Sequence, residues 1–215
     1  MKFVSSFVVV SSVFCGAFAQ AEEKKELQAT SLFEVVGKIK PTACNVVLPG
    51  GNVWDYGTIP ASDIKNAKGD FYKRVGVTHN FQIVCDQAAS VRYRLMDQSD
   101  AANDSTRFSL VLDSSGEGIG FHTMNYMDFK VKGSDGKEVA GAVLGDSVDQ
   151  VSWKKTGQDW YQRASRFYTA VGAEGSPVNF NVLEQRFTSV IQLDKKLDVK
   201  SEESFRGGVL VELYY

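Results

Sequence analysis

The sequence has little of what metal sites and nucleic-acid binding require. It contains two histidines and three cysteines in 215 residues, and its 24 lysines and arginines are balanced by 26 aspartates and glutamates. Because no stripe of positive charge runs along the chain, nucleic-acid binding has no electrostatic support. His79 lies on the apolar parity of its segment and His122 follows a glycine-rich turn. Neither has close ligand-type neighbours, so a structural role is predicted for both.

Motifs of catalysis are also missing. There is no C-x-x-C pair and no G-x-S-x-G elbow. Residues 116–120 (GEGIG) have the wrong spacing for a nucleotide loop, and no helical pattern follows them. Asp97, Asp100 and Asp104 lack the glycine and the final glutamate of a calcium loop. Only paired carboxylates, which meet in space rather than in sequence, escape such a search. We therefore predict no enzyme activity and no cofactor.

The first 19 residues have the pattern of an export signal. Lys2 supplies the positive end, residues 3–14 are apolar, and residues 17–19 (AFA) form a small-x-small cleavage pattern. The apolar run is shorter than the roughly 20 residues that span a bilayer, and no later run is longer. The sequence thus predicts an exported chain with no transmembrane segment after cleavage, and Cys15 is removed with the signal.

Cleavage would leave two cysteines, Cys44 and Cys85, in an oxidising compartment. Each lies at the end of a strand-like segment, so a disulfide between them is predicted. The chain-entropy model gives a loop of this length a stabilisation of about 4 kcal/mol.

The rest of the chain consists of short strand-like runs. Residues 33–57 predict a strand, a Pro-Thr turn, a strand carrying Cys44, a Gly-Gly turn and an aromatic strand. Residues 127–139 predict a hairpin, and the runs at 177–183 and 186–194 are interpreted as separate strands. No window keeps helical periodicity over three turns. Many short strands with 19 glycines and four prolines predict an all-β antiparallel sandwich or barrel.

The organisation predicted is a signal peptide (1–19), an extension (20–32) and a single β-domain (33–215). The extension begins with the charged residues 22–26 (EEKKE), a solvated start. Side chains at alternate positions then share one parity, as in a strand: Leu27, Ala29, Ser31 and Phe33.

These motifs resemble the subunits of chaperone–usher fimbriae, and more closely a fimbrial-like family of unknown function. The shared features are residues 37–44 (GKIKPTAC), the glycines at 50–51, residues 55–59 (DYGTI) and residues 84–86 (VCD). The resemblance is specific over about residues 33–90 and the last ten residues; elsewhere it depends on the strand pattern alone.

The resemblance implies an immunoglobulin-like sandwich that lacks its last strand and leaves an apolar groove. A periplasmic chaperone would fill the groove first, and the extension of another pilus subunit would replace it at the usher, on the way to a cell-surface fimbrium. The implied donor residues are Leu27, Ala29, Ser31 and Phe33. The implied groove edge, where the chaperone also anchors the terminal carboxylate, consists of Val209, Val211, Leu213 and Tyr215.

A different class of function is also open. A secreted or periplasmic monomer could bind a ligand such as a carbohydrate through aromatic side chains, for which the candidates are Trp54, Trp153, Trp160 and Tyr161. Core or hairpin packing is the favoured explanation of these residues, since Trp153 and Trp160 flank a turn where they could pair across strands.

Overall fold

Most of the fold consists of strands in which buried and exposed side chains alternate. A computed structural model describes residues 42–99, 107–156, 162–164 and 166–215, within a unit that spans Lys40–Tyr215. These ranges contain one helix, α1 (Ala61–Lys65), and no helix in them is long and apolar enough to cross a membrane. The strands are β1 (Cys44–Val47), β2 (Phe71–Ala89), β3 (Arg92–Asp97), β4 (Phe108–Leu112), β5 (Gly118–Lys132), β6 (Val143–Ser147), β7 (Lys154–Lys155), β8 (Phe167–Val171), β9 (Phe180–Asp194), β10 (Phe205–Arg206) and β11 (Val209–Tyr214).

The strands form two antiparallel sheets. The first has the order β1-β2-β9-β5-β4-β10, and the second has the order β11-β3-β8-β6-β7. One face of each sheet supplies the buried side chains between them, as in a sandwich. Tyr93 and Tyr168 of the second sheet and Phe108 of the first are among the largest fully buried side chains. The all-β antiparallel sandwich predicted from the sequence is confirmed.

The predicted disulfide is present. Cys44 and Cys85 are bonded with an S–S distance of 2.04 Å, and they are directly opposite each other in the β1–β2 register. Strand β1 has only four residues, so the bond fixes a short edge strand at its first position.

Strands β5 and β9 are longer than the sequence pattern indicates. The runs at 177–183 and 186–194 were expected to be separate strands, which is wrong, because β9 continues through both for 15 residues. Glu184 and Arg186 lie between the buried Leu183, Gln185 and Phe187. A polar interruption in the sequence is thus the outward face of one continuous strand. The predicted hairpin after β5 is a turn whose return arm makes a single bridge, Lys132↔Glu138.

The predicted aromatic strand at 53–59 is also wrong. The segment that connects β1 to α1 contains no strand, and Gly57 has a φ of +60°, a conformation that favours glycine. The Gly57 N–H donates to Asp55 Oδ1 at 2.7 Å, which forms a local turn instead of a sheet ladder. Trp54 and Tyr56 nevertheless pack on buried core residues, so the connection covers part of the first sheet's inner face.

The chain passes from the first sheet to the second at Gly207 and Gly208, between β10 and β11. A Cβ on Gly207 would lie 2.7 Å from the Ser109 carbonyl oxygen and 2.8 Å from Leu110 Cδ2. Only a residue without a side chain allows the backbone to pass this close to β4. The crossing leads from β10, an edge strand of the first sheet, to β11, an edge strand of the second.

Candidate binding groove

A groove of about 610 Å³ lies between the edges of the two sheets. Val46 of β1 and Leu48 beyond it line one wall, together with Val53 of the connecting segment. Val209 and Val211 of β11 line the other wall. Strand β1 pairs only with β2, and β11 pairs only with β3, in the part of the chain that the structure describes. The groove thus separates two strands that each have one unpaired edge.

The floor of the groove is mainly apolar. Its buried side chains come from both sheets, and they are Phe81, Leu95, Leu110, Met124, Phe187 and Ile191. At its rim Val53 is 74% exposed, which is unusual for a valine and leaves apolar surface facing outward. The shape and lining suit an extended apolar segment better than a small polar ligand.

Beyond one end of the groove, the two wall strands are joined by a side-chain hydrogen bond. The Cys44 N–H donates to the Tyr215 hydroxyl at 2.8 Å, which links the start of β1 to the end of β11. The Tyr215 side chain is otherwise 63% exposed, since it lies beyond the strand. The other end lies at Gly207 and Gly208, which also line the groove.

The floor carries a polar patch near the Gly207 end, formed by His122 and Ser189. His122 Nδ1 lies 3.3 Å from Ser189 Oγ, and the imidazole also contacts the rings of Phe108 and Trp54. Both polar side chains are more than nine-tenths buried. Burial lowers the pKa of His122 to about 4, against a smaller opposing effect of the Asp97 charge, so the imidazole is neutral at physiological pH.

Two polar atoms beside this patch lack a well-formed hydrogen bond. His122 Nε2 has no hydrogen-bond partner among the described residues, because the only bond of the ring is made through Nδ1. The Tyr56 hydroxyl is buried without a bond of good geometry, although Ser189 lies close enough to oppose part of the rise in the Tyr56 pKa that burial causes. A polar atom that becomes covered without a partner is costly, so a segment that covers the patch binds better if it offers a polar group there.

A second polar network lies deeper. Gln162 Nε2 donates to the Tyr93 hydroxyl at 2.9 Å, and that hydroxyl donates to Gln185 Oε1. Burial raises the pKa of Tyr93. The Tyr93 hydroxyl is already donor and acceptor, and the network joins the two sheets. Gln185 Nε2 is buried without a hydrogen-bond partner in the described chain.

The predicted edge residues lie where β11 meets the sandwich core. Val209, Val211 and Leu213 are partly buried against it, and Val209 and Val211 line the groove. Tyr215 lies beyond β11 and is not part of the groove lining. The predicted donor residues all fall outside the described residues: Leu27, Ala29, Ser31 and Phe33.

The candidate ligand-binding aromatics do not form a surface platform in the described chain. Trp54 is partly buried, with its ring centroid 4.9 Å from that of His79 and 5.3 Å from that of Phe187. Trp153 is partly exposed, and Trp160 and Tyr161 lie outside the described residues. No group of three or more histidine, cysteine or acidic side chains within the described ranges could hold a metal ion.

The sequence analysis did not identify the polar patch. His122 and Ser189 are 67 residues apart, and they meet because β5 pairs with β9 with Met124 opposite Ser189. No local motif marks such a pair. The one available signal was that each lies on the buried parity of an apolar run.

Comparison with known proteins assigns the chain to a family. No curated protein and no solved structure matches the chain. The family described as "Protein of unknown function (DUF1120)" matches residues 33–142, a range that contains both cysteines, Trp54 and His122 but not Ser189 or β11. Because this match covers just over half of the 215 residues, the chain belongs to that family.

Proposed function

We propose that this protein is an exported structural or adhesive subunit of a bacterial surface fimbria, assembled by strand donation through a chaperone–usher pathway. The single observation that carries the proposal is the apolar groove between β1 and β11. Two strands with unpaired edges on either side of an apolar floor form the receptor that an added β-strand needs. The added strand would gain main-chain hydrogen bonds at the edges and bury alternate side chains on the floor.

The chain also has a segment suited to be the added strand. Residues 27–33 alternate Leu27, Ala29, Ser31 and Phe33 on one parity. Seven extended residues reach about 23 Å, and the six residues of β11 reach about 20 Å. Residues 34–41 then remain as a link to β1. Donation from one copy to the groove of the next would repeat as a fibre.

Before assembly, the same groove requires a temporary occupant. An open groove with two unpaired edges invites uncontrolled association, so a periplasmic chaperone that presents a strand would keep the subunit soluble. The proposal includes no catalytic activity and no cofactor.

The alternative proposal, a monomeric binding module that uses aromatic side chains, receives less support. Of its four candidates, Trp54 packs on Phe187 and His79, where it is part of the groove floor rather than an exposed stacking surface.

The experiment places charges on the donor segment of the full-length chain. Leu27→Asp with Ala29→Asp would put two carboxylates against an apolar floor without partners, which is costly. We expect loss of fibres in electron microscopy and loss of high-mass forms in size-exclusion chromatography, with the monomer's circular dichroism unchanged.

The matched control is Gln28→Asp with Thr30→Asp. It adds the same two charges on the opposite parity, where side chains would face away from the floor. Assembly should persist in this variant. Equal fibre yield from the two double variants, or monomeric wild-type protein in the presence of the chaperone and usher, would contradict the proposal.

A further inference from the structure

The polar patch at His122 and Ser189 interrupts a groove floor that is mainly apolar. A donor strand with only apolar side chains would cover His122 Nε2 and the Tyr56 hydroxyl without giving either a hydrogen bond. An unpaired buried polar atom weakens binding by a factor of about ten or more. A strand that presents one small polar side chain at that point would remove this cost.

The donor segment contains one polar side chain on its alternating parity, Ser31, between Ala29 and Phe33. A hydroxyl both donates and accepts. It therefore suits a neutral imidazole whichever nitrogen carries the proton, and the Tyr56 hydroxyl as well. The segment thus has a single polar position among apolar ones, and the mainly apolar floor of the groove has the His122–Ser189 patch.

We propose that Ser31 of one copy docks on the His122–Ser189 patch of the next copy, and that this pair fixes the register of the donated strand. This inference depends on the proposed function, since it assigns the contact within the same groove. The hydroxyl of Ser31 bonds to His122 Nε2, and the neighbouring positions of the strand follow from that contact.

The position of the patch also sets the direction of the strand. His122 Cδ2 lies 3.5 Å from the position of a Cβ on Gly207, so the patch is at the Gly207 end of the groove. With Ser31 there, Ala29 and Leu27 lie about 7 and 13 Å away, over the stretch lined by Val209 and Val211. Both are buried only if the strand runs antiparallel to β11, and Phe33 then lies toward Phe205, which also lines the groove.

The test measures binding of synthetic peptides of residues 20–41 to an acceptor. The acceptor is the mature chain carrying Leu27→Asp and Ala29→Asp, which cannot donate its own segment. Three fluorescent peptides are compared by anisotropy: the native sequence, Ser31→Ala, and the pair Ala29→Ser with Ser31→Ala. The last peptide keeps the native composition and moves the hydroxyl by two residues.

We expect the native peptide to bind about tenfold more tightly than either variant, because only its hydroxyl reaches the patch. On an acceptor that also carries His122→Leu, native and Ser31→Ala peptides should bind alike. His122→Gln serves as a second acceptor that still hydrogen-bonds, and circular dichroism checks that both acceptors fold.

The outcomes distinguish failure of the register assignment from failure of strand donation itself. If the native and shifted peptides bind equally, or if the preference survives His122→Leu, the register assignment is wrong while strand donation stands. If no peptide binds the acceptor, both the register assignment and donation by residues 27–33 are overturned.

Discussion

The burial of His122 makes a quantitative prediction about acid sensitivity. Burial lowers the pKa of this imidazole from 6.5 to about 4 in the folded protein. The unfolded chain therefore binds the proton at a higher pH than the folded one, and stability is lost as the pH falls from about 6.5 to about 4. The slope within this window is about 1.4 kcal/mol per pH unit.

Between pH 7.5 and pH 4.5 this linkage amounts to about 2.5 kcal/mol of unfolding free energy. Carboxylates contribute to the same pH range, so the effect of His122 is isolated by comparison with His122→Gln, which cannot titrate. The wild type should lose about 2.5 kcal/mol more than this variant over the interval. Urea unfolding followed by the fluorescence of the three tryptophans at both pH values measures the difference.

A histidine elsewhere provides the control. His79 also has a pKa below the usual value because of burial, by a smaller amount. His79→Gln should therefore change the pH dependence less than His122→Gln does. If the wild type and His122→Gln lose the same free energy, within about 0.5 kcal/mol, the imidazole is not held neutral by the groove floor and the reasoning fails.

Two further predictions concern the walls of the groove. Replacing both Cys44 and Cys85 by serine should lower the unfolding free energy measured in urea by about 4 kcal/mol. Reduction of the wild type should give a similar loss. A loss below about 1 kcal/mol would contradict a stabilising role for the disulfide. Val211→Asp should sharply reduce the recovery of chaperone-bound subunit from periplasm, because it places a charge in the groove wall. Leu210→Asp, at a position that is 45% exposed, should not reduce it. Equal recovery of the two variants would show that β11 does not contribute to chaperone binding.

Features determined by local chemistry could be predicted from the sequence. The disulfide followed from elimination, because cleavage of the predicted export signal would leave two cysteines. The alternation of β11 was enough to place Val209, Val211 and Leu213 against the core. In each case the residues themselves carry the constraint, and no knowledge of distant pairing is needed.

Features set by distant pairing could not be predicted in the same way. The aromatic alternation at Trp54 and Tyr56 is the same whether the backbone joins a sheet or only packs its side chains against one. The local turn at Asp55 and Gly57 forms in place of a strand. The length of strand β9 could not be predicted, because its outward-facing polar residues resemble a turn between two strands in the sequence. The polar patch depends on the pairing of β5 with β9, which no local pattern specifies.

The position of the disulfide has a mechanical consequence. A pull on the chain ahead of Thr42 reaches β1 at Cys44, its first residue, which is bonded to Cys85 toward the C-terminal end of the 19-residue strand β2. Tension applied there passes through a covalent bond into β2, the strand next to the edge of the first sheet. It does not peel the four-residue β1 away one hydrogen bond at a time. One wall of the groove therefore keeps its shape under load, so a strand seated beside it would be released by shear along its whole length rather than by unzipping.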